Sequence, residues 1–250
     1  MPEPGALAPT VIVTGASRGV GLAISSRLAG AGYRVLAVAR SERPELIEAR
    51  TALRPGAGDI IFRGFDLSRV DAIAGFVRQL RSEFGVPFGL VNNAAIGTAG
   101  LLANMRLSEI EALVRLNTLS PLVLTKHVVR PMMTEGRGRI VNIASIVGFT
   151  GYNGLSVYAA TKSSMLGFTR SLAREVGRLG ITVNAVAPGF MATDMTADMA
   201  DSDRQRVARR SALGRLAVPQ DVAESVLYLM GESGRNVTGT VLTVDAGGVA

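Results

Sequence analysis

The sequence predicts an α/β fold, one doubly wound domain spanning residues 1–250 on a parallel sheet of about seven strands. Two observations predict it. Short, β-branched apolar runs alternate with helix-period segments from end to end, the pattern of βαβ crossovers that cover a parallel sheet on both faces. The chain has 250 residues of which 48% are hydrophobic, enough to bury a large core without a second domain. No linker, repeat or low-complexity segment interrupts it.

In chain order, TVIVTG at 10–15 reads as the first strand, and 18–31 has helical spacing that closes on Gly32. YRVLAVAR at 33–40 is the second strand, and Pro44 opens a helix running to about Leu53, since proline suits a first helical turn. DIIFRGFD at 59–66 precedes a helix from about Ser68, and FGLVNNA at 88–94 precedes one long helical region over 107–133. RIVNIAS at 139–145 leads by a loop to a helix over 156–179. ITVNAVAPG at 181–189 is followed by a polar, Met-rich stretch, two more helices and a last strand near 240–244.

Composition removes several function classes. Zero cysteines exclude a disulfide scaffold, an iron–sulfur cluster and thiol catalysis, and a single histidine, His127, excludes multi-histidine metal sites. No metal is expected. The start, MPEPGALAPT, has no basic region followed by an apolar run, and no stretch approaches about 18 uninterrupted apolar residues. A soluble, cytoplasmic chain with no membrane contact is expected. The formal charge of +7 comes from 27 basic and 20 acidic residues, but only Lys126 and Lys162 are lysines. The arginines are scattered, as a codon bias would leave them, and nucleic-acid binding is not expected. A lysine retained in such a background suggests a site that wants an ammonium. His127, mid-helix and far from every motif, reads as a structural or interface residue.

The first strand runs into Thr14-Gly-Ala-Ser-Arg-Gly-Val-Gly21 and then a helix. Glycines there permit a tight turn and bring a pyrophosphate close to backbone N–H groups at a helix N-terminus, the Rossmann-type arrangement for a dinucleotide. The spacing is G-x-x-x-G-x-G, and a purely structural turn would need the same glycines. An NAD site usually carries an acid at the end of the second strand for the ribose 2′-hydroxyl. Here Ala39-Arg40-Ser41 holds none, and Arg18 sits inside the glycine loop. Two guanidiniums suit a 2′-phosphate, so NADP(H) is expected over NAD(H). Asp66, closing the third strand, is placed to accept a bond from the adenine amino group.

Tyr158 and Lys162 stand four apart in YAATK, which puts them on one helix face. Ser145, thirteen residues before the tyrosine, ends a strand where an open parallel sheet forms its crevice. A phenol titrating near pH 10 is a poor acid–base group at neutrality. A neighbouring ammonium and an oxidised nicotinamide would favour the phenolate, which makes the tyrosine–lysine pair sufficient to protonate a carbonyl oxygen.

With TGASRGVG (14–21), NNAA (92–95), Asn117, Ser145, YAATK (158–162) and PGFMATD (188–194) in order, the sequence resembles the short-chain dehydrogenase/reductase family along nearly its whole length. The resemblance implies Tyr158 as general acid/base and Lys162 as the residue that binds the nicotinamide ribose and lowers the tyrosine pKa. It implies that Ser145 orients the substrate carbonyl and that Asn117 holds a water in a proton relay behind Lys162. The implied cofactor site comprises Gly15, Ser17, Arg18, Gly19, Val20, Gly21, Arg40, Asp66, Leu67, Asn93, Ala94, Tyr158, Lys162, Pro188, Gly189, Met191 and Thr193, the last opening a substrate lid. Met191, Met195 and Met199 read as an adaptable lid over an apolar substrate or as ordinary helix packing. The family's usual NNAG is Asn92-Asn93-Ala94-Ala95 here; a positive φ at Ala95 would add strain.

Within the family, the segments GRIVNIASIVG, GFTRSLAREVGRLGITVNAVAPGF and VTGTVLTVDAGG most resemble reductases of 3-oxoacyl thioesters on acyl carrier protein. That likeness implies NADPH-dependent reduction to the 3-hydroxyacyl thioester in fatty-acid synthesis. It also implies a homotetramer built through the two long helices and the last strand, and docking of acidic acyl carrier protein by Arg130 and Arg174. Arg174 lies 16 residues past Tyr158, about 24 Å along a helix axis. Two alternatives stay open on sequence. One is an NADP-dependent reductase or dehydrogenase of another ketone or secondary alcohol; the other is a non-catalytic dinucleotide sensor on the same fold.

Overall fold

In a computed structural model, the described residues are 8–191 and 201–250, with side chains described from 205 in the second span. The order of elements is β1 (Thr10–Thr14), α1 (Gly19–Gly30), β2 (Arg34–Ala39), α2 (Pro44–Thr51), β3 (Ile60–Gly64), α3 (Ile73–Phe84), β4 (Gly89–Asn92) and α4 (Leu107–Val114). Then come α5 (Ser120–Glu135), β5 (Gly138–Ile143), α6 (Ser156–Val176), β6 (Ile181–Pro188), α7 (Asp201–Arg210), α8 (Pro219–Met230) and β7 (Val241–Val244). The seven strands form one sheet in the order β3-β2-β1-β4-β5-β6-β7, and every pair is parallel. The doubly wound Rossmann-type sheet expected from the alternation is the one observed.

Successive side chains of a strand point to opposite faces, and β1 shows how the two layers divide. Val11 and Val13 pack with Ile24 and Leu28 of α1 and Val222 and Val226 of α8. Ile12 packs on the other face with Phe76 of α3, Leu124 and Val128 of α5, and Leu172 of α6. All residues of β1 and β6 are buried, as central strands covered on both faces must be. The chain reverses its direction of strand addition between β1 and β4, so their carboxyl ends border the crevice where open α/β sheets bind ligands.

Two local departures from the sequence reading have physical causes. The helical region over 107–133 is not uniform: a π-helical turn, Arg115–Leu119, separates α4 from α5. Asn117, buried at its centre, accepts from Ile96 N at 2.9 Å and donates to Ile96 O at 2.8 Å, so the turn is drawn toward the β4–α4 loop. The helix expected from Ser68 begins only after a 3-10 turn at Val70–Ala72. Asp66 explains the delay, since its Oδ1 accepts from Ser68 N at 2.9 Å and from Ser68 Oγ at 2.8 Å, a turn that competes with helix. Ala95 carries no strain, because the one non-glycine residue with positive φ among the described residues is Ala246.

Candidate active site

The site is assembled from loops at the carboxyl ends of β1 to β6, with α6 beside them. A cleft of about 860 Å³ opens there, running from Arg40 and Asp66 at one end to Ser145, Tyr158 and Met191 at the other. Gly15, Ser17, Arg18, Gly19, Val20 and Gly21 line it, as do Leu67, Asn93, Ala94, Lys162 and Pro188. Gly189 is not among the lining residues; its missing side chain serves packing, because a Cβ there would sit 2.6 Å from Asp245 Cβ. Thr193, Met195 and Met199, the expected lid residues, lie outside the described residues.

The dinucleotide end fits the group that the sequence implies. Gly19 has φ +55° with open space before it, and a Cβ on Gly21 would lie 2.2 Å from Gly15 O. The loop therefore folds tightly against the start of α1, and only glycine fits at Gly21. No side chain caps that helix and no acid stands in its first turn, so its N–H groups and positive dipole end are left for an anion. Arg18, Arg40 and Arg43 border the same part of the cleft; Arg43 escaped the sequence reading because it sits past the strand tip. The Asp66 carboxyl is held below its ordinary range, first by the Ser68 backbone N–H and hydroxyl, then by the charges of Arg40 and Arg69. Its Oδ1 is occupied by Ser68.

Below the cleft, Thr14 ties the glycine loop to β4. Its Oγ1 accepts from Asn93 N at 2.9 Å and Ala94 N at 3.0 Å, and Asn93 Nδ2 donates to Thr14 O at 2.8 Å. Sequence reading missed Thr14; the signal was a hydroxyl at the end of an otherwise apolar buried strand. Asn92 Nδ2 donates to Asn142 Oδ1 at 2.8 Å and Thr125 Oγ1 at 3.0 Å, joining β4, β5 and α5. These buried bonds fix the strand ends from which the site residues project.

At the other end, Ser145 leads a 3-10 turn (Ile146–Gly148), its Oγ accepting from Val147 N at 3.4 Å. Tyr158 and Lys162 stand on the first turns of α6, as their spacing implies, with Lys162 Nζ 5.7 Å from the centre of the Tyr158 ring. Lys162 is 5% exposed and donates to Ile143 O at 2.8 Å. Burial pushes its ammonium down from 10.5 to about 8. Burial pushes the Tyr158 phenol up to about 12, with a hydrogen bond from Ser145 pulling the other way. Asn117 stands behind the pair, donating to Thr161 Oγ1 at 3.2 Å, and Thr161 Oγ1 donates to Tyr158 O at 2.7 Å. His127 lies half-buried on α5, away from these residues. Arg130 and Arg174 are exposed on α5 and α6. No cluster of metal-ligating side chains occurs among the described residues.

Comparison with known sequences adds the family. Residues 9–204 match the family described as short chain dehydrogenase. Over 236 residues, covering 94% of this chain and 95% of the relative, it is 39% identical to the 3-oxoacyl-[acyl-carrier-protein] reductase FabG of Escherichia coli (strain K12). The FabG of Vibrio cholerae serotype O1 is 38% identical over the same shares. That of Chlamydia trachomatis serovar D is 34% identical over 95% of this chain and 96% of its own. A doubly wound parallel sheet, a glycine cradle at its switch point and these matches lead to one assignment. The chain belongs to the short-chain dehydrogenase family and is an oxidoreductase acting on CH–OH and ketone groups with a nicotinamide dinucleotide as cofactor.

Proposed function

We propose that the chain reduces the ketone of a 3-oxoacyl thioester, presented on acyl carrier protein in the cytoplasm, to the 3-hydroxyacyl thioester with NADPH. The observation that carries this reading is the conjunction of Ser145, Tyr158 and Lys162 in one cleft with the relatives' printed activity. When bound, the reduced cofactor supplies the hydride. Tyr158, protonated through the neutral range because burial holds it near 12, donates its proton to the carbonyl oxygen. Ser145 donates a second hydrogen bond to that oxygen and orients it. Lys162 supplies a positive charge below about pH 8, which favours the tyrosinate left after transfer.

Proton resupply would pass behind Lys162. A chamber of about 10 Å³ there is lined by Asn92, Asn117, Ser120 and Lys162 among others, and Asn92 Oδ1 has no protein partner. One water fits such a volume and such polar walls. Asn117 is thus a positioning residue, holding the π-helical turn against Ile96 and α6.

Preference for NADPH is assigned to Arg18 and Arg40, with Arg43 beside them. Arg40→Asp should repel a 2′-phosphate and remove its bond, turning the NADPH to NADH ratio of kcat/KM by about tenfold or more. An unchanged ratio would place Arg40 away from the ribose.

Carrier-protein docking is assigned to Arg130 and Arg174, in a homotetramer whose subunits bring the two together. Charges at an interface rim act mainly on encounter and are screened by salt. The double change Arg130→Glu, Arg174→Glu should therefore cut kcat/KM on a carrier-bound substrate by about tenfold at low salt, roughly 1.4 kcal/mol. A small free β-ketoester should be far less affected. Equal losses on both substrates would assign the arginines to structure, and no loss on either would remove the support for carrier-protein docking.

A further inference from the structure

We propose that one face of α4 reads the base of the cofactor: Glu111 accepts a hydrogen bond from the adenine 6-amino group and Arg115 donates one to a ring nitrogen. The enzyme then favours adenine over hypoxanthine at that end of the dinucleotide. This rests on the dinucleotide reading of the cleft and adds to it which residues recognise the base. Ser108, Glu111, Ala112 and Arg115 all line the cleft of about 860 Å³. Their spacing of i, i+3, i+4 and i+7 is one stripe of a helix, so α4 turns a continuous face to the cleft. The π-helical turn begins at Arg115, and Asn117 within it is bonded to Ile96 N and O at 2.9 and 2.8 Å. These bonds fix the end of the stripe against the loop after β4. Leu116 lines with Leu67 the chamber of about 10 Å³, so the end of α4 stands beside the residues that follow β3. In the sheet, β3 is the edge strand on the side away from β5 and β6, whose ends bring Ser145 and Pro188 to the reacting end.

The chemistry of the stripe selects its ligand. A glutamate four residues before an arginine is the favoured helical ion pair. Yet both side chains are exposed, and among the described residues neither is engaged in an ion pair or a side-chain hydrogen bond. A carboxylate only accepts and a guanidinium only donates, so the two together complement a ligand edge that sets a donor beside an acceptor. Adenine has such an edge on each side of its 6-amino group, with a hydrogen-free ring nitrogen next to it. Hypoxanthine carries a carbonyl in place of the amino group and would turn its lone pairs on Glu111. A phosphate would meet the same carboxylate, which separates this wall from the arginines of the glycine loop and β2. Asp66, expected from sequence to take the adenine amino group, has Oδ1 occupied by Ser68 N and Oγ at 2.9 and 2.8 Å. Glu111 has both oxygens available, from the opposite wall.

The test is a binding titration, read from the fluorescence of the reduced nicotinamide, with NADPH and its hypoxanthine analogue. NADH and its hypoxanthine analogue repeat the comparison without the 2′-phosphate, so the outcome does not depend on the phosphate assignment. The wild type should bind the adenine form about tenfold more tightly, the cost of setting a carbonyl against a carboxylate and losing its bond. Glu111→Gln should cut that preference to about twofold, because an amide can also donate to the carbonyl. Arg115→Met should weaken the adenine form about fivefold, since methionine fills similar space and donates nothing. The absence of a base preference in the wild type overturns the proposal, as does a preference that survives Glu111→Gln or an adenine affinity untouched by Arg115→Met. Equal losses on the adenine and hypoxanthine forms in both variants would assign the stripe to structure and overturn it too. If the wild type binds none of the four dinucleotides, the cofactor reading itself falls and takes the base-reading wall with it.

Discussion

Replacing Tyr158 with phenylalanine should lower kcat by about a hundred- to ten-thousand-fold, the range that a positioned general acid supplies. The ring stays and only the transferable proton goes, so cofactor affinity should change little. Burial raises the phenol to about 12, so in the wild type the proton is present throughout the neutral range and the group is an acid awaiting an oxygen. The pH profile of the reduction should therefore bend where Lys162 titrates, near 8, with the rate falling as pH rises and the ammonium is lost. Steady-state rates with a cofactor titration on the same variant check both parts. Near-normal turnover by Tyr158→Phe would remove the acid role from this residue.

Lys162→Met should separate catalysis from stability in opposite directions. Turnover should fall by about a hundredfold or more, since the tyrosinate would form without a neighbouring charge. Stability at pH 7 should rise. Burial lowers the ammonium from 10.5 to about 8, so holding it charged at neutrality costs about 3 kcal/mol. Methionine fills a similar space and gives up the charge-assisted bond to Ile143 O, a loss of about 1.5–3 kcal/mol. The net gain is therefore at most about 1.5 kcal/mol. The sign of the pH dependence follows. A folded-state value below the unfolded one means that the unfolded chain holds more protons between about 8 and 10.5, so wild-type stability rises with pH across that window. The variant should lack that rise, and denaturant melts at pH 7 and pH 10 measure it. A variant less stable than the wild type at pH 7 would contradict the view that the buried charge is held against the fold's own preference.

How far the sequence could be read depended on how local the signal was. The seven strands followed from β-branched runs such as Thr10–Thr14 and Ile181–Pro188, whose burial is a property of the segment itself. The proximity of Tyr158 and Lys162 followed from helical periodicity alone. The π-helical turn at Arg115–Leu119 had no such signal, because it depends on Asn117 reaching a loop 21 residues away in sequence. The same applies to Thr14, whose hydroxyl matters through bonds to Asn93 and Ala94 across the sheet. The burial that raises the Tyr158 phenol is of the same kind, since spacing places the ammonium on its helix face but says nothing of what packs around the ring. At Ala95 the concern over strain was a family habit rather than a property of this backbone, which has no positive φ there.

The most direct test of 3-oxoacyl thioester reduction is turnover of NADPH by the full-length chain with a 3-oxoacyl-acyl carrier protein, alongside the same substrate with NADH. Oxidation of NADPH that depends on the thioester, yields the 3-hydroxyacyl product in equal amount and exceeds the NADH rate is the expected result. Saturable NADPH binding with no turnover of any 3-oxoacyl thioester, on carrier protein or free, would contradict it.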